Sequence, residues 1–203
     1  GLGLPFSGGG IAGDVDTALF ERVAIIRGAN GLMSGVGNPS ATVNMIRKRP
    51  GADFAGKVRA SYGSFANTRL EGDVQGSLTE GLNVRAVLVQ EDKDAHLDRY
   101  HHDKTLGYVV ASAELGDKTL FTFGHSAQHG QGNGGMWGAL TLHYGDGSRI
   151  VYDRSASTSA DWSYWQVKDN RTFAELTHSL NDDWKLVTSY QLMQLDEAGD
   201  LFY

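Results

Sequence analysis

The chain has 203 residues, a net charge of −6 and no cysteine, and it contains 27 glycines but only 3 prolines. The acidic balance argues against a nucleic-acid binder, because that affinity depends on a basic surface. The lack of cysteine fits a protein that works outside the cytoplasm without disulfides. No run of about 18 apolar residues is present, so no transmembrane helix is predicted, although strands of about 9–11 alternating residues can also cross a membrane. The chain shows no signal peptide, and we expect both of its ends to be truncated.

The N-terminal part of the chain reads as loops and short strands. Ser7–Gly10 is a glycine-rich loop, which is either a simple linker or a binding element. Val23–Ile26 and Ala41–Ile46 are rich in β-branched residues and predict two short strands separated by glycines. The basic triplet that follows, Arg47–Arg49, resembles a nucleic-acid patch in composition. In an acidic chain we interpret it as a solvated strand end.

From about residue 56 onward the chain alternates polar and apolar residues in strand-length segments. Seven such segments are predicted, namely Lys57–Tyr62, Thr68–Gly76, Leu82–Glu91, Lys104–Leu115, Thr119–Ala127, Arg171–Leu180 and Trp184–Leu195. Short turns at Ser77–Gly81, Gly116–Lys118 and Asn181–Asp183 alternate with long connections at Asp92–Asp103 and His129–Asp169. A barrel with tight turns at one rim and long loops at the other produces this alternation, whereas a sandwich mixes turn lengths at both ends.

No catalytic, cofactor or metal site is predicted from the residues. Gly130–Gly135 satisfies G-x-G-x-x-G, but no helical pattern follows it, as a dinucleotide site requires. His125 and His129 share one face of a strand, yet no third ligand stands at convincing spacing. No Ser-His-Asp or Cys-His arrangement and no nucleophile elbow is present.

The long connection His129–Asp169 is rich in aromatic residues and nearly neutral, with three basic and four acidic side chains. Its aromatic residues include Trp137, Trp162, Tyr164 and Trp165. Aromatic side chains with polar tips suit a large, partly apolar ligand. They are equally typical of the aromatic girdle where a barrel meets the membrane interface, and both interpretations stay open here.

One stretch resembles a known family. Residues 21–50 look like the end of the plug domain of TonB-dependent siderophore receptors, on the order and spacing of Glu21-Arg22-Val23, Arg27-Gly28, Gly31-Leu32-Met33-Ser34-Gly35, Gly37-Asn38-Pro39-Ser40, Asn44 and Arg47-Lys48-Arg49-Pro50. Later segments also resemble the family, namely Asp146-Gly147-Ser148-Arg149, Asp161-Trp162-Ser163-Tyr164-Trp165 and Trp184-Lys185-Leu186. The chain departs from the family at Met136–Tyr144, where a leucine-proline turn is usual.

The resemblance implies an all-β fold in the bacterial outer membrane. Residues 1–52 would be the C-terminal part of the plug, and residues 53–203 about seven strands of a 22-stranded antiparallel barrel with extracellular loops. The implied function is TonB-dependent uptake of ferric siderophores, with iron(III) carried inside the ligand and no protein-bound cofactor. The implied partners are the siderophore, outer-membrane lipid, and TonB with ExbB and ExbD, acting through a segment expected outside this sequence. Neither an enzymatic activity nor nucleic-acid binding is implied.

The resemblance also implies site residues. Ser7, Gly9 and Gly10 would lie in the loop that reaches the ligand at the top of the plug. Among the aromatic residues, Trp162 to Trp165 are favoured as ligand contacts because they lie deep in the loop sequence, and Trp137 is included with them as a candidate. Arg22 and Arg27 are expected to contact the barrel, Arg27 matching the plug arginine that pairs with barrel-wall glutamates. Alternatives are a diffusion porin or other structural outer-membrane barrel, and a soluble sugar-binding β protein.

Overall fold

The computed structural model describes residues 6–7, 10–11, 13–28 and 41–202. Within these ranges the chain is built of β-strands and one short 3-10 turn, Thr17–Leu19. The N-terminal strands are β1 (Phe6–Ser7), β2 (Gly10–Ile11), β3 (Phe20–Arg27) and β4 (Ala41–Arg47). The seven strands of the large sheet are β5 (Ala55–Tyr62), β6 (Thr68–Thr79), β7 (Leu82–Asp94), β8 (His101–Glu114), β9 (Thr119–Asn133), β10 (Tyr164–Ser179) and β11 (Lys185–Asp200). No helix in this described part is long and apolar enough to cross a membrane.

The seven long strands form one antiparallel sheet in which each strand pairs with its neighbours in sequence, from β5 to β11. The predicted seven strands are therefore confirmed. Their connections are short at one rim, over residues 80–81, 115–118 and 180–184. At the other rim they are residues 63–67, 95–100 and 134–163. The predicted long connection at 134–163 is present, but the one predicted at Asp92–Asp103 is reduced to residues 95–100, which is close in length to 180–184. The alternation of connection lengths is therefore weaker than predicted.

The two predicted N-terminal strands are present too. β3 and β4 pair antiparallel, from Arg27 opposite Ala41 to Phe20 opposite Arg47. β1 and β2 form a separate two-residue pair. The glycine-rich segment between β3 and β4, including the predicted turn at Asn38 and Pro39, lies outside the described residues.

One face of the large sheet, the inward face, is covered by chain segments 13–21 and 47–51. Because side chains alternate along a strand, every second residue of β6–β10 points toward these segments. The buried apolar side chains at the centre of this face are Val87, Val89, Leu106, Tyr108, Val110 and Phe173, packed with Ala18 of the 3-10 turn. A Cβ at Gly124 would collide with the Phe173 ring, so glycine makes room for that ring.

The opposite, outward face carries exposed apolar side chains. These include Leu70, Val74, Leu88, Val109 and Phe123, and Leu88 is 67% exposed. Each belongs to the alternate set of positions, opposite in direction to the buried core. An apolar face of this kind matches the lipid-facing band of a membrane barrel.

Candidate functional site

The site lies on the inward face at the long-loop rim, where Trp137 stacks on Trp165. The ring centroids are 5.9 Å apart and the ring planes differ by 4°, an arrangement typical of favourable aromatic pairs. Trp137 comes from loop 134–163, whereas Trp165 is on β10 and points inward between Gly132 and Gly199. A Cβ at Gly199 would lie 2.8 Å from the Trp165 ring, so glycine there leaves space for the indole.

The other predicted aromatic residues lie apart from this pair. Trp162 packs edge-on against Phe202, with centroids 6.4 Å apart, and remains 59% exposed. Tyr164 starts β10 in the alternate direction to Trp165, on the outward side of the rim, where the membrane-interface interpretation suits it better. Ligand contact by Trp137, Trp162, Tyr164 and Trp165 stays a prediction. The structure brings Trp137 and Trp165 together.

The predicted ligand loop at the N-terminus is only partly described. Ser7 and Gly10 face each other as the paired residues of β1 and β2, and Gly9 lies outside the described residues. Gly13, just beyond, has a φ of +80°, and a Cβ there would lie 3.0 Å from the carboxyl carbon of Asp169 on β10. Immediately after the predicted loop, the chain thus passes close to the inward face of the seven-stranded sheet, which is called the wall below.

Asp16 fixes this segment to the wall. Its side chain is 3% exposed and accepts hydrogen bonds from both terminal nitrogens of Arg69, at 2.7 and 2.9 Å. Lys104 Nζ lies 2.8 Å from the same carboxylate, and the Ala18 N–H donates to it at 2.9 Å to cap the 3-10 turn. Burial acts to raise the pKa of Asp16, but the bonds from Arg69 and Lys104 outweigh burial and hold that pKa well below its usual value.

The basic triplet Arg47–Arg49 forms a second attachment. Lys48 Nζ lies 2.7 Å from the Asp73 carboxylate on β6, which also accepts two 2.8 Å hydrogen bonds from Arg85. The Tyr108 hydroxyl donates to the Lys48 carbonyl oxygen at 2.9 Å. The interpretation of the triplet as a solvated strand end is therefore wrong, because Lys48 finds a partly buried carboxylate on the wall.

The two arginines of the triplet bracket one aromatic ring. The guanidinium carbon of Arg47 lies 4.6 Å from the centroid of Phe173, and that of Arg49 lies 5.7 Å away. Arg47 donates to Gln191 at 2.8 Å, and Arg49 pairs with Glu175. Cation–π contacts and charged hydrogen bonds together attach the end of β4 to β10 and β11.

Arg22 and Arg27 are both exposed on β3. Within residues 13–28 and 41–202 neither forms an ion pair, and their predicted contact with the barrel stays a prediction. Sequence reasoning missed the wall contacts of Asp16, Lys48 and Arg49. Their partners lie from 25 to 126 residues away in the chain, so no local pattern could reveal them.

The residues that the sequence suggested for other chemistry do not assemble into a site. Among the described residues no group of three or more metal-ligating side chains is present. His125 bonds Thr172 across the β9–β10 pair at 2.9 Å. The first four residues of the motif Gly130–Gly135 form the end of β9, and its last two glycines begin loop 134–163.

Known proteins share this arrangement of a large antiparallel sheet with a segment attached to one face. No protein-family model matches the chain. The ferripyoverdine receptor of Pseudomonas aeruginosa is 37% identical over 172 residues, which is 83% of this chain and 21% of that protein. A solved structure of the outer-membrane ferripyoverdine receptor of P. aeruginosa bound to ferripyoverdine superposes with a TM-score of 0.82 at 34% identity, over 92% of this chain and 25% of that one. The alcaligin outer-membrane receptor of Bordetella pertussis gives 0.73 at 30% identity, over 92% and 28%.

The chain belongs to the TonB-dependent siderophore receptors, with β5–β11 as part of the outer-membrane barrel wall and the preceding residues as part of the plug. It spans about a fifth of the length of the curated relatives that it matches. Within that family, several relatives at 31–37% identity are ferric-pyoverdine receptors of Pseudomonas.

Proposed function

We propose that the receptor containing this chain takes up ferric siderophores across the bacterial outer membrane. The observation that carries the proposal is the Trp137–Trp165 pair at the loop rim, four residues along β10 from Asp169, which the N-terminal segment approaches at Gly13. A ligand bound at this rim would rest between the extracellular loops and the plug. The relatives' function as siderophore receptors supports the same conclusion.

The plug boundary is proposed near residue 52, between the last wall contacts of the plug and the start of β5. The Gly51 N–H still donates to Gln75 on the inward face at 3.3 Å, and the sheet begins at Ala55. Residues 1–52 are accordingly assigned to the plug and residues 53–203 to the barrel.

The proposed ligand is a neutral or weakly charged ferric hydroxamate or mixed-type siderophore. Loop 134–163 carries two arginines against three aspartates, so this loop offers no strong positive field. A triply negative catecholate complex would be favoured by a basic cleft that focuses the opposite charge. Because several relatives bind pyoverdine, ferripyoverdine is the first ligand to test.

Iron(III) enters as part of the ligand, and the protein makes or breaks no bond. Energy would come from TonB with ExbB and ExbD, acting on a plug-side segment outside residues 1–203. Deleting the gene in a strain that makes no siderophore should abolish radioactive iron uptake from the cognate ferric siderophore. Uptake that persists, or that continues in a strain without TonB, would contradict the proposal.

The aromatic pair gives a sharper test in the full-length receptor. Trp165→Ala and Trp137→Ala should each weaken ferripyoverdine binding by at least about 2 kcal/mol, because a central aromatic anchor is lost. Trp162→Ala should weaken binding as well. Trp184→Ala is the control, since Trp184 is also an exposed tryptophan, at 70% against 61% for Trp137, but lies at the short-turn rim. Equal effects of Trp165→Ala and Trp184→Ala would show that the rim tryptophans are girdle residues.

The diffusion porin is the alternative from another class. The plug segments 13–21 and 47–51 occupy the inward face of the wall, which disfavours an open channel. Planar-bilayer recordings should show no steady conductance for the intact receptor. A receptor from which the plug has been removed should show a steady conductance. A large conductance of the intact receptor would favour the porin.

A further inference from the structure

Loop 95–100 is attached to loop 134–163, which carries Trp137. The Asp98 N–H donates to the Ser155 carbonyl oxygen at 2.7 Å. Arg99 Nε lies 2.9 Å from Asp161 Oδ1, but these two side chains are 47% and 90% exposed. An ion pair that exposed contributes little, so the attachment depends on the backbone.

The backbone contact is closest at Arg99 and Gly134. Arg99 has a φ of +69° and Gly134 a φ of +64°. A Cβ at residue 134 would lie 2.6 Å from the carbonyl carbon of Arg99 and nearer still to its oxygen. The Gly134 N–H donates to the Ser163 carbonyl oxygen at 2.8 Å, which closes the base of loop 134–163. A side chain at residue 134 therefore cannot be accommodated without moving one of the two loops.

The Arg99–Gly134 junction lies close in sequence to both stacked indoles. Trp137 is three residues beyond Gly134, and Trp165 is two residues beyond Ser163. We propose that the junction is a positioning element that holds loop 134–163 where Trp137 stacks on Trp165, and so sets the shape of the binding surface. This inference rests on the proposed function, since it treats the indole pair as the ligand contact.

The test compares two neighbouring glycines in the full-length receptor. Gly134→Ala should weaken ferripyoverdine binding about tenfold or more, because the displaced loop removes an aromatic anchor. Hydrogen exchange over residues 134–163 should rise, while β6–β9 remain protected. Gly135→Ala is the matched control, because a Cβ there would contact nothing within 4 Å. Equal behaviour of the two variants would overturn the proposal.

A double-mutant cycle separates positioning from general loosening. If Gly134→Ala acts by displacing Trp137, it should cost almost nothing further in a Trp137→Ala background. Additive losses in the double variant would mean that the junction acts on the receptor in some other way, and they would overturn the proposal.

Two changes at residue 99 keep the proposal testable if Gly134→Ala does not fold. Arg99→Pro forces φ to about −65°, which is incompatible with the junction, and should reproduce the Gly134→Ala defect. Arg99→Gly preserves the positive φ and the carbonyl while removing the ion pair, so it should bind within about twofold of wild type. A large loss of ferripyoverdine binding in Arg99→Gly would show that the Arg99 side chain, and not the backbone contact, positions loop 134–163, and it would overturn the proposal.

The outcomes also distinguish this inference from the proposed function. If Gly134→Ala raises exchange over residues 134–163 but ferripyoverdine, a ferric trihydroxamate and a ferric tricatecholate bind unchanged, the indole pair is not the ligand contact. The inference then fails, whereas uptake by the receptor stands or falls on the gene-deletion experiment alone.

Discussion

The inward and outward faces of the large sheet come from the same strands but are stabilised in different ways. On β6, Arg69 and Asp73 point inward into ion pairs with plug residues, whereas Leu70 and Val74 point outward and are exposed. The inward side chains each need a particular partner at a particular distance. The outward side chains need only an apolar solvent. Inward changes should therefore act locally on the plug, and outward changes on the barrel as a whole.

The largest effect is expected at Asp16. In the full-length receptor, Asp16→Ala removes the carboxylate that Arg69 and Lys104 share, which leaves Arg69 with Glu91 and Lys104 with the more distant Asp14. Removing one partner of a buried ion pair costs about 3–5 kcal/mol, and the lower end of that range is expected here because Arg69 keeps a partner. The opening free energy of segment 13–21, measured by hydrogen exchange, should fall by that amount while β6–β9 stay protected. Asp14→Ala is the control, since Asp14 is 38% exposed and lies 3.7 Å from Lys104. A loss of protection across the whole barrel would contradict the proposed division between the faces.

A charge on the outward face should have the next largest effect. Leu88 lies at the centre of β7, and Leu88→Arg should lower the free energy of unfolding in lipid by about 2–4 kcal/mol. Thr68→Arg, at the loop rim, should cost only about 0–1 kcal/mol because it lies near the interface. Folding titrations into lipid vesicles would measure both. Equal costs would mean that Leu88 does not face the hydrocarbon.

The smallest effect concerns pH. Because the pKa of Asp16 is lowered in the folded protein, its stabilising contribution is complete above its ordinary pKa and is lost only as the pH falls through the lower folded value. Lowering the pH from about 7 to about 5 should leave the protection of segment 13–21 unchanged once intrinsic exchange rates are corrected. Loss of protection by about pH 5 would show that a different group controls the attachment.

The strands were predictable because alternation is a local signal, and the errors in their bounds have a physical cause. β9 was predicted to end at Ala127 but continues to Asn133, and β10 was predicted from Arg171 but starts at Tyr164. Beyond the apolar band the outward face of these strands becomes polar, as at Gln131 and Gln166, so the alternation fades although pairing continues. The long connection is accordingly shorter than predicted.

The site was less predictable because it depends on contacts between distant residues. The aromatic composition of the connection indicated Trp137 and Trp165, but their stacking requires the antiparallel return of β10 beside β9. Lys48 seemed solvated because its partner, Asp73, lies on a strand that the sequence places in a different structural unit. The sequence shows where charged side chains occur, and only the fold shows which of them form ion pairs.

The separation of the faces has a consequence for how such a sequence can diverge. On the outward face, Leu70, Val74 and Leu88 can be exchanged singly for other apolar residues, because lipid adapts to any of their shapes. On the inward face, a new residue at Asp16, Arg69 or Lys104 removes one member of a shared cluster of ion pairs, and a second substitution is needed to restore the balance of charge. Inherited changes should thus accumulate independently on one side of each strand and in coupled pairs on the other.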